Sequence, residues 1–95
     1  MENNKVTLNF KNDISNLAGY DFGISVYNEQ VKGKLNLSVN FEIVFPDHIT
    51  GIASSFVQGF FSEIVGEIGL LNTEKRAQIK TSSIALAKTV IAKLD

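Results

Sequence analysis

The chain has 95 residues, of which 44% are hydrophobic and 20% charged, a composition typical of one small globular domain rather than a disordered segment. Nine basic and ten acidic residues leave a net charge of −1, so neither nucleic acid nor an anionic membrane is an expected partner. Cysteine is absent, which excludes disulfides, thiolate nucleophiles and cysteine–metal sites.

The N-terminal segment predicts a strand without a preceding signal peptide. Residues 1–5 are polar, unlike the apolar core of a secretory signal, and no apolar run in the sequence is long enough to span a bilayer. We therefore expect a cytoplasmic protein. Val6, Leu8 and Phe10 then alternate with polar residues, which is the period of a strand with one buried face.

A helix is predicted from Ser15, as its N-cap, to Gly33, which is suited to ending it. Gly19 and Gly23 each lower the helix propensity by up to ~1 kcal/mol relative to alanine, so the first half is the least stable part. The apolar residues recur at helical spacing and form one stripe: Leu17, Tyr20, Ile24, Tyr27 and Val31.

The segment from Leu35 to Phe45 has apolar residues at odd positions and mostly polar residues between them, which predicts one long strand. A strand covered on both faces would be almost continuously apolar, so we expect helices on one face of the sheet. Pro46 ends this strand and begins a turn. The residues predicted to be buried are Leu37, Val39, Phe41, Ile43 and Phe45.

Helical periodicity returns after Gly51 and predicts a helix that begins near Ser54 and ends between Gly69 and Thr73. Its apolar stripe should pack on the sheet, with Phe60 and Ile64 buried.

The C-terminal segment predicts a short strand and a last helix. Residues 77–80 have the strand pattern, and Ser83 is placed to cap the helix that follows. The apolar face of this helix is predicted to comprise Ile84, Ala87, Ile91 and Leu94.

Strands and helices alternate along the chain, an order that favours parallel strand pairing with right-handed crossovers. We therefore predict an α/β fold, a small two-layer domain with a mixed or mostly parallel sheet and helices packed mainly on one face. Residues 1–95 should form a single domain.

The segment Asp47–Val57, with the sequence DHITGIASSFV, resembles the strand, turn and double serine of bacterial STAS-like domains, specifically the STAS-like domain of unknown function family. Residues 21–26 resemble the glycine-containing first helix of that family, and residues 79–81 with the terminal helix resemble its ending. The resemblance implies a non-enzymatic regulatory module that binds another protein and needs no cofactor. A kinase or an ATPase-type regulator is the partner that the resemblance implies.

The double serine is the site to which the resemblance directs attention. In anti-anti-sigma relatives a serine beside the helix N-terminus is phosphorylated, and its charge drives a partner off; Ser54 matches that serine and Ser55 is its neighbour. This chain has Ala53 where those relatives carry aspartate and Phe56 where they carry glycine. The residues themselves leave a second interpretation open, since serine is also a preferred N-cap. We expect Asp47, Ser54, Ser55 and Phe56 to form the partner-binding surface, with Phe56 as its aromatic anchor.

Two alternatives belong to other classes of function. A small serine hydrolase or transferase would need His48, the single histidine, as the base for Ser54 or Ser55. A structural homodimer would instead use the polar face of the sheet or an edge strand.

No metal-binding or acid–base site is predicted. His48 lacks a second imidazole or a thiol with which to hold zinc. Glu63 and Glu67 lie one helical turn apart, and at that spacing we expect solvated carboxylates rather than a catalytic pair.

Overall fold

A parallel sheet of three strands, with helices packed on one face, forms the centre of the computed structural model, which describes residues 4–94. Part of the polar start discussed above, residues 1–3, lies outside the described residues. In chain order the elements are β1 (Lys5–Thr7), β2 (Asn16–Leu17), α1 (Tyr20–Gln30), β3 (Phe41–Val44), β4 (Gly51–Ile52), α2 (Ser54–Phe60), α3 (Ser62–Ile68), α4 (Leu70–Arg76), β5 (Ala77–Lys80) and α5 (Ile84–Ala92).

The central strand β3 pairs in parallel with β1 on one side and with β5 on the other. The register aligns Val6 with Ile43 and Ile43 with Ile79, all on the face that the helices cover. Alternate residues such as Lys5 and Gln78 are exposed on the opposite face. The predicted α/β two-layer fold is therefore confirmed, and β5 has the predicted bounds.

The strand predicted from Leu35 to Phe45 is wrong in its extent, because only Phe41–Val44 is extended and paired. The side chain of Asn4 holds the preceding segment in turns: its Nδ2 donates to the carbonyl oxygens of Asn36 (2.7 Å) and Asn40 (2.9 Å). Val39, expected to be buried, is consequently 51% exposed. The other residues predicted to be buried are so: Leu37, Phe41, Ile43 and Phe45.

Helix α1 begins later than predicted. Ser15 is not its N-cap, because the carbonyl oxygen of Ser15 accepts from the Thr50 backbone N–H (2.8 Å) and β2 pairs with β4. Gly19, with φ of 106°, then turns the chain into the helix. Strand pairing has overridden the helical spacing of the apolar residues. The C-terminal end of α1 agrees more closely with the prediction: the helix ends at Gln30, and Gly33 adopts a φ of 80° three residues later.

Helices α1 and α2 cross at two glycines, Gly23 and Gly59. A Cβ atom at Gly23 would lie 2.6 Å from the Phe60 backbone nitrogen, and one at Gly59 would lie 2.8 Å from the Tyr20 carbonyl carbon. Real Cβ atoms do not approach other atoms so closely, so both positions require glycine. The glycine that weakens α1 locally thus permits its backbone to contact α2.

The helix predicted from Ser54 is present, with a local irregularity at Phe61 between α2 and α3. Backbone hydrogen bonds continue through this point, while the Ser62 hydroxyl donates back to the Gly59 carbonyl oxygen (2.9 Å), a bond that bends helices. Phe60 and Ile64 are fully buried, as predicted.

The C-terminal part differs from expectation in two respects. Helix α4 was not predicted; it follows Gly69, whose φ of 86° ends α3. In α5 the predicted cap is confirmed, since the Ser83 hydroxyl accepts from the Leu86 N–H (3.1 Å). Ile84, however, is exposed, because α5 packs through Val90, which lies about 120° away around the helix.

We expect Gly59→Ala to lower the free energy of unfolding by about 1–3 kcal/mol, since the added methyl group overlaps the Tyr20 backbone. Gly66→Ala is the matched control: a Cβ there meets nothing within 4 Å, so helix propensity should raise stability by up to ~1 kcal/mol. Chemical denaturation measures both. Equal stabilisation of the two variants would contradict the close crossing of α1 and α2.

Candidate functional site

The predicted surface lies where α2 begins. Ser54 and Ser55 are both exposed, but the N-cap is Ala53 and neither hydroxyl caps the helix, so the capping interpretation is wrong. Instead the Ser55 Oγ accepts from the backbone N–H of Gly19 (2.9 Å), which joins the start of α1 to the start of α2. The Ser54 hydroxyl makes no hydrogen bond to any residue in the described part of the chain. Ser54 is therefore the serine that remains accessible to another molecule.

Phe56 does not form an exposed rim, and that expectation is wrong. Its side chain is fully buried, where it stacks on Phe60 with ring centroids 5.6 Å apart. Helix α2 turns its first two residues outward and the next two, Phe56 and Val57, into the core.

The aromatic residue that reaches the surface nearby is Phe22, which is not among the site residues predicted from the sequence. Phe22 is 40% exposed, and its ring packs on Phe56 at a centroid distance of 5.6 Å and on Phe10 at 6.3 Å. It lies in the first turn of α1, three residues after Gly19, whose backbone N–H donates to the Ser55 hydroxyl. One feature of the sequence could have indicated that Phe22 is exposed: it lies two positions after Tyr20, outside the apolar stripe predicted for α1.

Asp47 is exposed in the turn that follows β3. Among residues 4–94, no hydrogen bond or ion pair connects its carboxylate to either serine. Ser55 is joined to the start of α1 through the Gly19 amide, and Phe22 is joined to α2 through its contact with Phe56. We call the exposed starts of the two helices, with Ser54, Ser55 and Phe22, the α1–α2 rim.

His48 occupies the same turn and is partly buried. Its Nε2 is buried and has no hydrogen-bond partner within the described residues. Among the described residues, no hydrogen bond joins the His48 ring to a serine hydroxyl. A serine nucleophile is activated by such a bond to its base.

A cavity of about 570 Å³ opens on a different part of the surface, between the C-terminal half of α1, the segment that follows it, and α3. Tyr27 lines this cavity, and it is only 5% exposed. Two carboxylates and two cations also line it: Glu63, Glu67, Lys32 and Arg76. We call it the Tyr27 cavity.

The charged residues of the Tyr27 cavity are only partly paired. Lys32 Nζ lies 3.3 Å from Glu63 Oε1, while Glu67 has no ion pair among residues 4–94. Arg76 donates from Nη1 to the carbonyl oxygen of Leu37 (2.9 Å). Glu63 and Glu67 are both exposed, in agreement with the solvated carboxylates expected from their spacing.

Burial raises the pKa of the Tyr27 hydroxyl above its ordinary value of 10.0, and the negative charges of Glu63 and then Glu67 raise it further. The phenol therefore stays protonated at neutral pH, where it can both donate and accept a hydrogen bond.

The described part of the chain holds neither a metal-binding cluster nor a membrane-spanning helix. No group of three or more histidine, cysteine, aspartate or glutamate residues there could hold a metal ion. Within residues 4–94 no helix is both long and apolar enough to cross a membrane.

Comparisons of the chain with models of known protein families, with curated proteins and with solved structures found no match. The resemblance to STAS-like domains therefore depends on the residues quoted for it.

We expect Glu67→Gln to lower the pKa of Tyr27, because one of the charges that oppose ionisation is removed. The pKa should remain above 10.0, since burial is the larger cause. In wild type the folded phenol holds its proton more tightly than the unfolded one, so stability should fall as the pH rises above 10.0.

Ultraviolet absorbance of the phenolate measures this titration in a Tyr20→Phe background, which leaves Tyr27 as the single tyrosine. Glu29→Gln, an exposed position outside the cavity, is the control and should have no effect. A Tyr27 pKa unchanged by Glu67→Gln would place that carboxylate away from the hydroxyl.

Proposed function

We propose that this chain is a cytoplasmic, non-enzymatic STAS-like module that regulates another protein by binding it through the α1–α2 rim. Its proposed partner is a kinase or an ATPase-type regulator, as the resemblance of the double-serine segment implies. The observation that carries the proposal is the rim itself: a partly exposed aromatic ring at the start of α1 and, at the adjoining start of α2, an exposed serine whose hydroxyl has no partner in the described residues.

The packing of Phe22 supports its role as the anchor of the contact. Its ring rests on the buried Phe56 and is flanked by Phe10, so little side-chain entropy remains to be lost when a partner covers it. Aromatic residues are also enriched among those whose truncation costs most at protein interfaces. Phe22 takes the role first expected of Phe56.

The two serines differ in a way that favours Ser54 as the regulated residue. Ser55 already holds the Gly19 amide, and modification of its hydroxyl would disturb the junction of α1 and α2. A phosphate on Ser54 would add nearly two negative charges at the rim without breaking a hydrogen bond within residues 4–94. Ser54 could then switch binding while the fold stays intact.

The serine hydrolase alternative receives less support. It requires a base that is hydrogen-bonded to a serine hydroxyl, and the His48 Nε2 makes no hydrogen bond to any described residue.

Once a partner is captured from the native host, Phe22→Ala should weaken binding by about 2 kcal/mol or more, the usual cost of truncating an anchor. Ser54→Asp should weaken binding to an acidic or apolar partner surface, because it adds a charge that such a surface must desolvate. Calorimetric titration measures both effects.

Two exposed positions away from the rim serve as controls for these substitutions. Leu71→Ala removes an exposed apolar side chain, and Gln78→Glu adds a negative charge on the face of the sheet opposite the helices. Binding that responds to the controls as strongly as to Phe22→Ala and Ser54→Asp, with folding intact, would place the interface elsewhere.

A further inference from the structure

The Tyr27 cavity contains a polar group that the protein leaves unpaired. The Tyr27 ring is fixed by its edge-on contact with Phe60, at a centroid distance of 5.8 Å and an interplanar angle of 86°. Although Tyr27 is only 5% exposed, its hydroxyl makes no hydrogen bond to any residue that the structure describes. The hydroxyl oxygen itself keeps contact with solvent, since the fully buried side-chain polar atom that lacks a partner among residues 4–94 is His48 Nε2. The phenol can therefore bind a molecule that enters the cavity.

Negative charge collects beside this hydroxyl. Glu63 and Glu67 lie one helical turn apart on α3, and both act on the Tyr27 phenol. Like charges at this spacing repel each other, and Lys32 compensates only Glu63. An ammonium group placed between Glu67 and the Tyr27 hydroxyl would satisfy both.

Positive charge and apolar surface complete the lining. One N–H of the Arg76 guanidinium binds the Leu37 carbonyl, and its other donors have no hydrogen-bonded partner within residues 4–94. Arginine binds carboxylates well because its planar group presents several donors. Val31, Leu35 and Ile68 supply apolar lining to the same cavity. With Lys32 and Arg76 against Glu63 and Glu67, the lining has no net charge.

We propose that the Tyr27 cavity binds a small zwitterion, a molecule whose ammonium and carboxylate groups are joined by an apolar body. The ammonium group lies between Glu67 and the Tyr27 hydroxyl, and the carboxylate lies at Arg76. The cavity volume of about 570 Å³ falls within the range of small-molecule sites. Amino acids with the amine at the far end of the carbon chain have this chemistry, and short peptides of apolar residues carry the same two charged ends. The proposal is independent of the α1–α2 rim, which shares none of these residues.

Calorimetric titration at neutral pH with two zwitterions tests the proposal. Aminocaproate represents the amino acids whose amine lies at the far end of the chain, and leucyl-leucine represents short peptides, so the tighter ligand identifies which of the two classes binds. A ligand of this size is expected to bind with a dissociation constant of about 1 mM. Hexylamine and hexanoate each lack one charged end and should bind at least about tenfold more weakly, because each leaves one set of charged groups unpaired.

Substitutions then locate the ligand. Tyr27→Phe keeps the ring and removes only the hydroxyl, and Glu67→Gln keeps the shape of an exposed side chain, so circular dichroism should show that both variants fold. Each should weaken binding of the tighter zwitterion about tenfold or more. Tyr20→Phe and Glu29→Gln, matched substitutions outside the cavity, should leave it unchanged.

Three results would overturn the proposal. The first is no binding of either zwitterion at about 20 mM, far above the expected dissociation constant. The second is binding that Tyr27→Phe and Glu67→Gln leave unchanged. The third is hexylamine binding as tightly as the zwitterions, which would make this a site for cations alone.

Discussion

The backbones of α1 and α2 meet at Gly23 and Gly59, where no other residue fits, and the remaining features of the molecule depend on this contact. Close approach of the two helices brings the rings of Phe56 and Phe60 against residues of α1. At one end of the crossing, Phe22 reaches the surface near the junction where Ser55 of α2 binds the Gly19 amide. At the other end, Tyr27 rests on Phe60 and borders the cavity. One backbone contact thus positions both candidate binding surfaces.

The sequence was sufficient where a local pattern and the tertiary structure favour the same conformation. The odd-numbered residues around β3 alternate with polar ones, and Phe41 and Ile43 are buried accordingly. Ser83 caps α5 because its hydroxyl accepts from the backbone N–H of Leu86, three residues further on. Both groups are close in sequence, so the cap can be predicted without knowledge of the tertiary structure. The parallel sheet followed from the alternation of strands and helices.

The sequence was insufficient where a distant residue decides the local conformation. Val39 continues the strand pattern, yet the side chain of Asn4 holds this segment in turns. The same limit applies to the site. Ser54 and Ser55 were correctly placed at the start of a helix, but Phe56 is buried because its ring packs between Phe22 of α1 and Phe60, a contact with a residue distant in sequence. Tyr27 was assigned to the apolar stripe of α1, and nothing nearby in sequence indicates the carboxylates on α3 that lie beside it.

Nuclear Overhauser contacts between protons of α1 and α2 test the close crossing most directly. The structure predicts a strong contact between an Hα of Gly59 and the Hα of Tyr20, since the Tyr20 Cα lies 3.0 Å from the position of a Cβ on Gly59. It also predicts a contact between an Hα of Gly23 and the amide proton of Phe60. Absence of both contacts in a spectrum that assigns these four residues would show that the helices do not meet at the glycines, and would contradict the account.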